Sequence, residues 1–552
     1  MLPAPHPQTR LAAAPRGRAR GEYIAGARPS LLGRAEPPAW VRPAVRAMQD
    51  ALPGNGAGCG SRQQRARPEG VPLHHPRRLR WSPSWRLLAS RSHPWLYCNI
   101  KTPAADSSTL NALREDFSLP TCYCRDSTCS EKREARRNTT MSEQWFEVQW
   151  HLGRVQVARQ SGSWRQPPPG YVLVSMAACG ICGADIRVIT GNKAASGDPN
   201  RYVTLGHEGS GRVVAVGDAV TCLRPGDYVA VLPHTHLPAE NDEGVRCSAR
   251  QIDPVCIGAS HTRHMGWDID GCFADFITVP ATNLVPVSPE HLRLARALAP
   301  RLGEAVFALV EPMLCSLSAY ELMQRQLRKF FRRDLSAGRA LVVGCGPIGL
   351  LHSAILLARG FEVWLADALP RRAELACWYL DHRARVFDPE DAAAGFDLAM
   401  ITASSAQAVR MGEALVRDEG IVYVFSGLNA AERDAMDSEN LFLYERLHRT
   451  TKPILTAARL PSGDKSIVYL GHSGYFEGLA PEAVAAVAAN AVALDRMITG
   501  IISGWSSPCI ESRLPGGTDW TTEDGSPAII SVLDGTDLRA RHCKLLVLAG
   551  RG

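Results

Sequence analysis

Two textures of apolar and polar positions follow one another along the chain. After Met141, short runs rich in β-branched residues, "GYVLVSMAAC", "GSGRVVAVG" and "DYVAVL", are separated by Gly and Pro, which predicts a small, irregular β-barrel. From about residue 318, apolar runs alternate with helical stretches. "RALVVG" reads as a buried strand, "IGLLHSAILLARG" as a helix closed by a C′ glycine, and "FEVWLAD" as the next strand. "PRRAELACWYL" is helical with Pro370 near its start, and "FDLAMITA" and "GIVYVFSG" follow as strands. This alternation predicts an α/β fold with a doubly wound parallel sheet covered by helices on both faces. "EAVAAVAANAVAL" reads as one last helix, a polar Gly- and Ser-rich segment spans about 503–537, and "KLLVLAG" closes the chain as a strand. The expected division is 1–140 as an extension, 141–317 as the β-barrel domain, 318–500 as the parallel-sheet domain, and 501–552 as a segment returning to the barrel.

Residues 1–140 lack such periodicity. Stretches such as "PRGRARGEY" and "RPEGVPLHHPRRLRW" cannot supply a packed core, so disorder is expected there. A start set ahead of Met141 accounts for the segment best, with a regulatory arm or an Arg-rich transit peptide as alternatives. Charge divides at the same place: 1–140 carry 23 Lys+Arg against 10 Asp+Glu, and the remainder 39 against 45. The net charge of +7 therefore belongs to the extension, and an acidic core argues against nucleic acid as the partner. No run of about 18 apolar residues suggests a membrane span. Of 16 cysteines, 11 follow residue 140 without small-scaffold spacing. Without a secretion signal they point to metal or catalytic use in the cytoplasm rather than to disulfides. Cys122, Cys124 and Cys129 complete no known zinc spacing.

Gly344-Cys345-Gly346-Pro347-Ile348-Gly349 fits G-x-G-x-x-G between the strand ending at Val343 and a helix. The first glycine allows a tight turn, the second lets the backbone approach a pyrophosphate, and the third permits close helix–sheet packing. Asp367, 18 residues past Gly349, ends the second strand, where a carboxylate can bond a ribose 2′-hydroxyl and favour NAD. A ligand-free Gly-rich turn is the plainer alternative. Cys182 in "CGICGADIR", His207 in "GHEGSG" and Glu311 in "VEPMLCSLSAY" are all zinc-ligand types, and three protein ligands with an open fourth position define a catalytic site. Each also has a plainer account: a core cysteine, a surface histidine, a helix-starting Glu-Pro.

The segments "GYVLVSMAACGICGADIR", "GHEGSGRVVAVGDAV", "RPGDYVAV", "DGCFADFITVPATNLVPV", "VEPMLCSLSAYE" and "GCGPIGL" stand in the order found in zinc-dependent medium-chain dehydrogenases/reductases, which residues 145–505 resemble. The resemblance implies a GroES-like β-barrel catalytic domain with a Rossmann-type coenzyme domain, and a homodimer or homotetramer. It implies one catalytic zinc on Cys182, His207 and Glu311, with Glu as third ligand as in the polyol, sugar and threonine branch. Glu208 resembles the family's neighbouring or alternate ligand, and Asp185 its buried carboxylate near the metal. Three departures stand out. The stretch where many members place four zinc-binding cysteines holds only Cys247 and Cys256, so a second zinc is not expected. Ala184 replaces the Ser or Thr whose hydroxyl passes a proton outward, leaving a bound water or Glu208 for that task. Residues 503–540 match no part of the family.

The expected activity is hydride transfer between a secondary alcohol (polyol, sugar, cyclitol or amino alcohol) and NAD, NADP being disfavoured by Asp367. The small alcohol or ketone is the expected partner, with no nucleic acid and no membrane. A zinc-free reductase of the same superfamily and a silent dinucleotide-binding protein are the alternatives. Metal content separates the first, and cofactor binding without turnover the second.

Overall fold

The computed structural model describes residues 141–549 apart from 152–153, 165, 190–201, 237–261, 429–431, 433–446, 448–456, 463, 473, 514–517 and 534–543. The extension, Cys247 and Cys256 lie outside the described residues.

The first part runs β1 (Met141–His151), β2 (Arg154–Trp164), β3 (Tyr171–Gly180), α1 (Gly183–Ile189), β4 (Val203–Thr204), β5 (Glu208–Val216), β6 (Tyr228–Val231), β7 (His234–His236), β8 (Thr262–His264), β9 (Phe276–Pro280), β10 (Leu284–Pro286) and α2 (Pro289–Leu298). A 3₁₀ stretch, Gly303–Leu309, leads into α3 (Val310–Gln326). The second part alternates β11 (Arg339–Val343), α4 (Pro347–Ala358), β12 (Glu362–Ala366), α5 (Pro370–Tyr379), β13 (Arg385–Val386), β14 (Phe396–Ile401), α6 (Ala406–Leu415), β15 (Val416–Val424), β16 (Ala457–Ser462), β17 (Lys465–Gly471), α7 (Ala480–Ala489) and α8 (Ala491–Met497). The last part is β18 (Ile498–Ser503), β19 (Cys509–Ser512), β20 (Trp520–Thr521), α9 (Ala528–Leu533) and β21 (Lys544–Leu548).

Two sheets organise the molecule. One has the order β13-β12-β11-β14-β15-β17-β16, parallel except for the β16 edge. Its order reverses between β11 and β14, the switch point at which such sheets bind ligands. The other, β10-β6-β5-β3-β21-β18-β19-β20 with β9 on β3, joins the C-terminal strands to the barrel: β21 lies antiparallel to β3 and parallel to β18. The apolar run Gly303–Phe331 is long enough to cross a membrane, but 78% of its most apolar window is buried inside the protein.

Two readings of the pattern are refined. The alanine-rich stretch expected to form one helix bends by 78° between α7 and α8. Asn490 sits at the break, and its side chain bonds the Ala486 carbonyl (2.8 Å), the kind of local bond that competes with helix continuation. The polar segment after 503 carries Trp505, 1% exposed, whose indole N–H donates to Asp275 Oδ1 (2.9 Å).

Behind the parallel sheet lies a buried polar group. His472 donates Nε2–H to the Gly474 carbonyl (3.0 Å) and accepts the Tyr423 hydroxyl at Nδ1 (2.8 Å), which satisfies the neutral ring only. His352 is 1% exposed, and its Nε2 has no hydrogen-bond partner among the described residues. Burial lowers His472 to about 4. Burial, then the charge of His472, lowers His352 to about 3. Both rings stay neutral in the folded state and protonate on unfolding. Stability is therefore complete above the ordinary histidine value near pH 6.5 and falls as pH drops toward 4. The expected loss is about 1.4 kcal/mol per pH unit per histidine. A His352→Leu variant is expected to lose less stability than the parent between pH 7 and 5 in denaturant titrations; an identical pH slope would refute this.

Candidate active site

The site gathers where β3 ends. Cys182 follows β3, and its backbone N–H donates to Asp185 Oδ2 (2.9 Å), while the Ala184 N–H points at Cys182 Sγ (3.5 Å). Asp185 is fully buried in α1. Its other oxygen accepts Nδ1–H of His207 (3.1 Å), the contact by which a metal-binding imidazole is usually oriented. Gly206 makes the approach possible: its φ is +90°, and a Cβ there would sit 2.4 Å from the Phe273 ring. Glu208, 2% exposed, opens β5.

Donor atoms of Cys182, His207 and Glu208 all lie within 4.8 Å of one another. Glu311 stands outside that set. It sits in the first turn of α3, 8% exposed, and accepts the Cys315 thiol one turn on (3.2 Å). Its charge is felt at the site: burial raises its carboxyl, His207 and Lys544 lower it, and Glu208 raises it. Glu208 thus joins Cys182 and His207 in the close group, while Glu311 on α3 is coupled electrostatically to His207 and Glu208.

Sequence reasoning missed Lys544. This first residue of β21 is 4% exposed. Its ammonium pairs with Glu208 and donates to the Ile181 carbonyl (3.0 Å). Burial lowers it, but Glu208, Cys182 and Asp185 overcome that, so it is held charged. A lone cation opening the apolar run "KLLVL" was the available signal. His264 and Trp267 were missed too. They stack on each other (3.3 Å) and both meet the His207 ring edge-on.

The donor set fits a zinc ion: one thiol, one imidazole and the Glu208 carboxylate converge, and Glu311 is buried and electrostatically coupled to them. Burial lowers His207, but Asp185 and Cys182 raise it well above its ordinary value, so the site draws positive charge.

The dinucleotide motif is equally well built. Gly344 takes φ +107°, and a Cβ at Gly349 would come 1.9 Å from the Gly344 carbonyl oxygen. At Gly346 nothing lies within 4 Å of an added Cβ, so the backbone there borders open space. Gly346 caps α4 without a side-chain hydrogen bond, and Pro347, Ile348 and Gly349 form the first turn. Asp367 accepts the backbone N–H of Cys345 (2.8 Å) and of Leu369 (2.9 Å), which places its carboxylate against the glycine turn.

Comparisons agree with this architecture. The family described as "Alcohol dehydrogenase GroES-like domain" matches residues 168–289. The L-galactonate-5-dehydrogenase of Escherichia coli is 32% identical over 294 residues, 50% of this chain and 76% of that protein. The L-threonine 3-dehydrogenase of Symbiobacterium thermophilum is 31% identical over 209 residues, 38% of this chain and 51% of that one. The chain thus spans about half the length of this threonine dehydrogenase. Two solved structures show the same fold. The 2R,3R-butanediol dehydrogenase of Bacillus subtilis covers 74% of this chain and 100% of its own, with TM-score 0.51 and 20% identity. The glucose dehydrogenase of Haloferax mediterranei, in complex with NADP, Zn and gluconolactone, has the same coverage and TM-score at 18% identity.

Proposed function

The chain belongs to the zinc-type medium-chain dehydrogenase/reductase family, and from that premise we propose that it is a zinc-dependent dehydrogenase moving hydride between a secondary alcohol and NAD. One observation carries the reading: the convergence of Cys182, His207 and Glu208, with Glu311 coupled electrostatically to His207 and Glu208 from the helix that leads into the parallel sheet.

In this proposal Cys182, His207 and Glu311 hold the ion, with Glu208 beside them as an alternate donor. A bound zinc would supply Lewis acidity toward the substrate hydroxyl. Asp185 would orient the His207 ring toward the ion by accepting its Nδ1–H. Gly344, Gly346, Pro347, Ile348 and Gly349 cradle the pyrophosphate, and Asp367 holds the ribose. Ala184 offers no hydroxyl to pass the alcohol proton outward. Glu208, a carboxylate of the donor group that also pairs with Lys544, is the candidate for that role.

The relatives named for galactonate and threonine act, by those names, on hydroxylated acids, which supports a secondary alcohol on a polyol, sugar, cyclitol or amino alcohol as substrate. A cytoplasmic homodimer or homotetramer is the accompanying proposal, by family resemblance.

The test is metal analysis together with a turnover screen of secondary alcohols. One zinc per chain and NAD-dependent oxidation are expected. A chain that binds dinucleotide but neither holds metal nor turns over any alcohol overturns the proposal.

Cofactor choice is tested separately. The Asp367 carboxylate suits two ribose hydroxyls and repels a 2′-phosphate. Arg371 is exposed and Arg372 half-buried on the following helix. The expected kcat/KM ratio favours NAD by about tenfold or more, which needs only about 1.4 kcal/mol of repulsion, and Asp367→Ala narrows it. A ratio favouring NADP in the parent refutes the assignment.

A further inference from the structure

We propose that His264 and Trp267 are positioning residues for the metal-binding ring of His207. The proposal rests on the reading of His207 as a ligand. The bond from Nδ1 to Asp185 fixes a point on that imidazole, and the tilt of its plane is left to its neighbours. Two rings fix the plane. His264 and Trp267 each stand 5.4 Å from His207, centroid to centroid, at 69° and 70°. They are themselves parallel, 3.3 Å apart at 7°, so they meet His207 as one slab in the edge-to-face geometry that aromatic rings favour.

The slab is itself held. His264 donates Nδ1–H to the Met265 carbonyl (2.6 Å), and its backbone N–H donates to Asp268 Oδ2 (2.9 Å). Its carbonyl accepts the N–H groups of Asp268 (2.9 Å) and Ile269 (3.2 Å). On the far side, His234 is the register partner of His264 across β7 and β8, and its ring meets His264 edge-on at 4.5 Å. Tyr475 backs His234 at 4.8 Å and accepts its backbone N–H (3.2 Å).

Slab and ligand also share a backbone. The turn carrying them is laced to the three residues before His207: Gly271 N–H to Thr204 (2.8 Å), Phe273 N–H to Leu205 (2.8 Å) and Cys272 N–H to Gly206 (2.9 Å), each at the carbonyl. A Cβ at Gly266 would meet the Gly206 carbonyl oxygen at 2.8 Å. His207, His264 and Trp267 are 3%, 7% and 8% exposed, so the whole assembly is interior. Groups that orient a metal ligand without touching the ion are worth roughly 10- to 100-fold in metal affinity.

The experiment uses the full chain and reads zinc affinity by chelator competition, together with the visible absorption of the cobalt(II)-loaded protein, which reports the angles of the coordinating atoms. Trp267→Leu and His264→Ala are expected to weaken zinc binding by about 10- to 100-fold and to shift the cobalt bands. His264→Phe preserves the slab and is expected to restore both readouts toward the parent. Circular dichroism and dinucleotide binding check the fold. If the truncations do not fold, Trp267→Phe takes their place and is expected to bind zinc more weakly than the parent. Folded variants that bind zinc as tightly as the parent, with unchanged cobalt bands, overturn the proposal and reduce the slab to core packing. A parent chain that takes up no metal overturns the ligand reading as well. A parent that binds metal while its variants bind equally well overturns this proposal alone.

Discussion

If the proposed function holds, a Cys182→Ala variant is expected to lose alcohol turnover by about 10³-fold or more while keeping dinucleotide binding. Cys182 supplies the one thiol among the three gathered donors. Lewis-acid stabilisation of developing charge is worth several kcal/mol, and about 1.4 kcal/mol is a factor of ten in rate. The substitution spares the frame around the site: the turn is held by the Cys182 backbone N–H on Asp185 rather than by its sulfur. The side chain is only half-buried, so little cavity is left. The glycine turn at 344–349 belongs to the other sheet and keeps its own contacts. Zinc content, kcat and dinucleotide affinity measured on one preparation decide the matter. A zinc-poor variant with parental turnover would show that hydride transfer does not pass through this site.

The parallel-sheet half was readable because each of its signals is local. The strand ending at Val343, the turn and α4 are contiguous, and the glycines answer to backbone contacts within the turn, as the 1.9 Å approach at Gly349 shows. The bend at Asn490 was hidden because alanines continue on both sides and only a side-chain bond to Ala486 marks the break. Cys182 and His207 carried little by spacing alone and gained weight only from the order of the surrounding segments. The choice between Glu208 and Glu311 was not readable. Glu208 opens β5 and Glu311 starts α3, and how close each carboxylate comes to the thiol and imidazole is set by tertiary packing, which no sequence interval records. Lys544 lies 336 positions from its partner, and β21 is brought beside β3 only by the return of the chain. His264 and Trp267 sit in a turn without period, so their shared contact with His207 exists only in three dimensions.

That long-range pair supports the second large effect. Lys544→Met is expected to lower unfolding free energy by about 3–5 kcal/mol, the usual cost of stripping one partner from a buried ion pair. Glu208 and Lys544 are both nearly inaccessible, with side chains 2% and 4% exposed. The carboxylate left behind in Lys544→Met would lie among Cys182, Asp185 and Glu311 with only His207, among the described residues, to offset it. Glu208→Met is expected to cost a similar amount by stranding the ammonium. Replacing both by methionine removes both charges at near-constant volume, a change that is often close to neutral for buried pairs. The double variant should therefore recover most of the loss, less the bond from Lys544 to the Ile181 carbonyl. Denaturant unfolding of the four proteins, with and without a zinc chelator, gives the coupling. Losses that simply add would show that the two side chains do not depend on each other. Strong coupling that survives chelation would show that the pair holds the C-terminal strand against the site whether or not metal is bound.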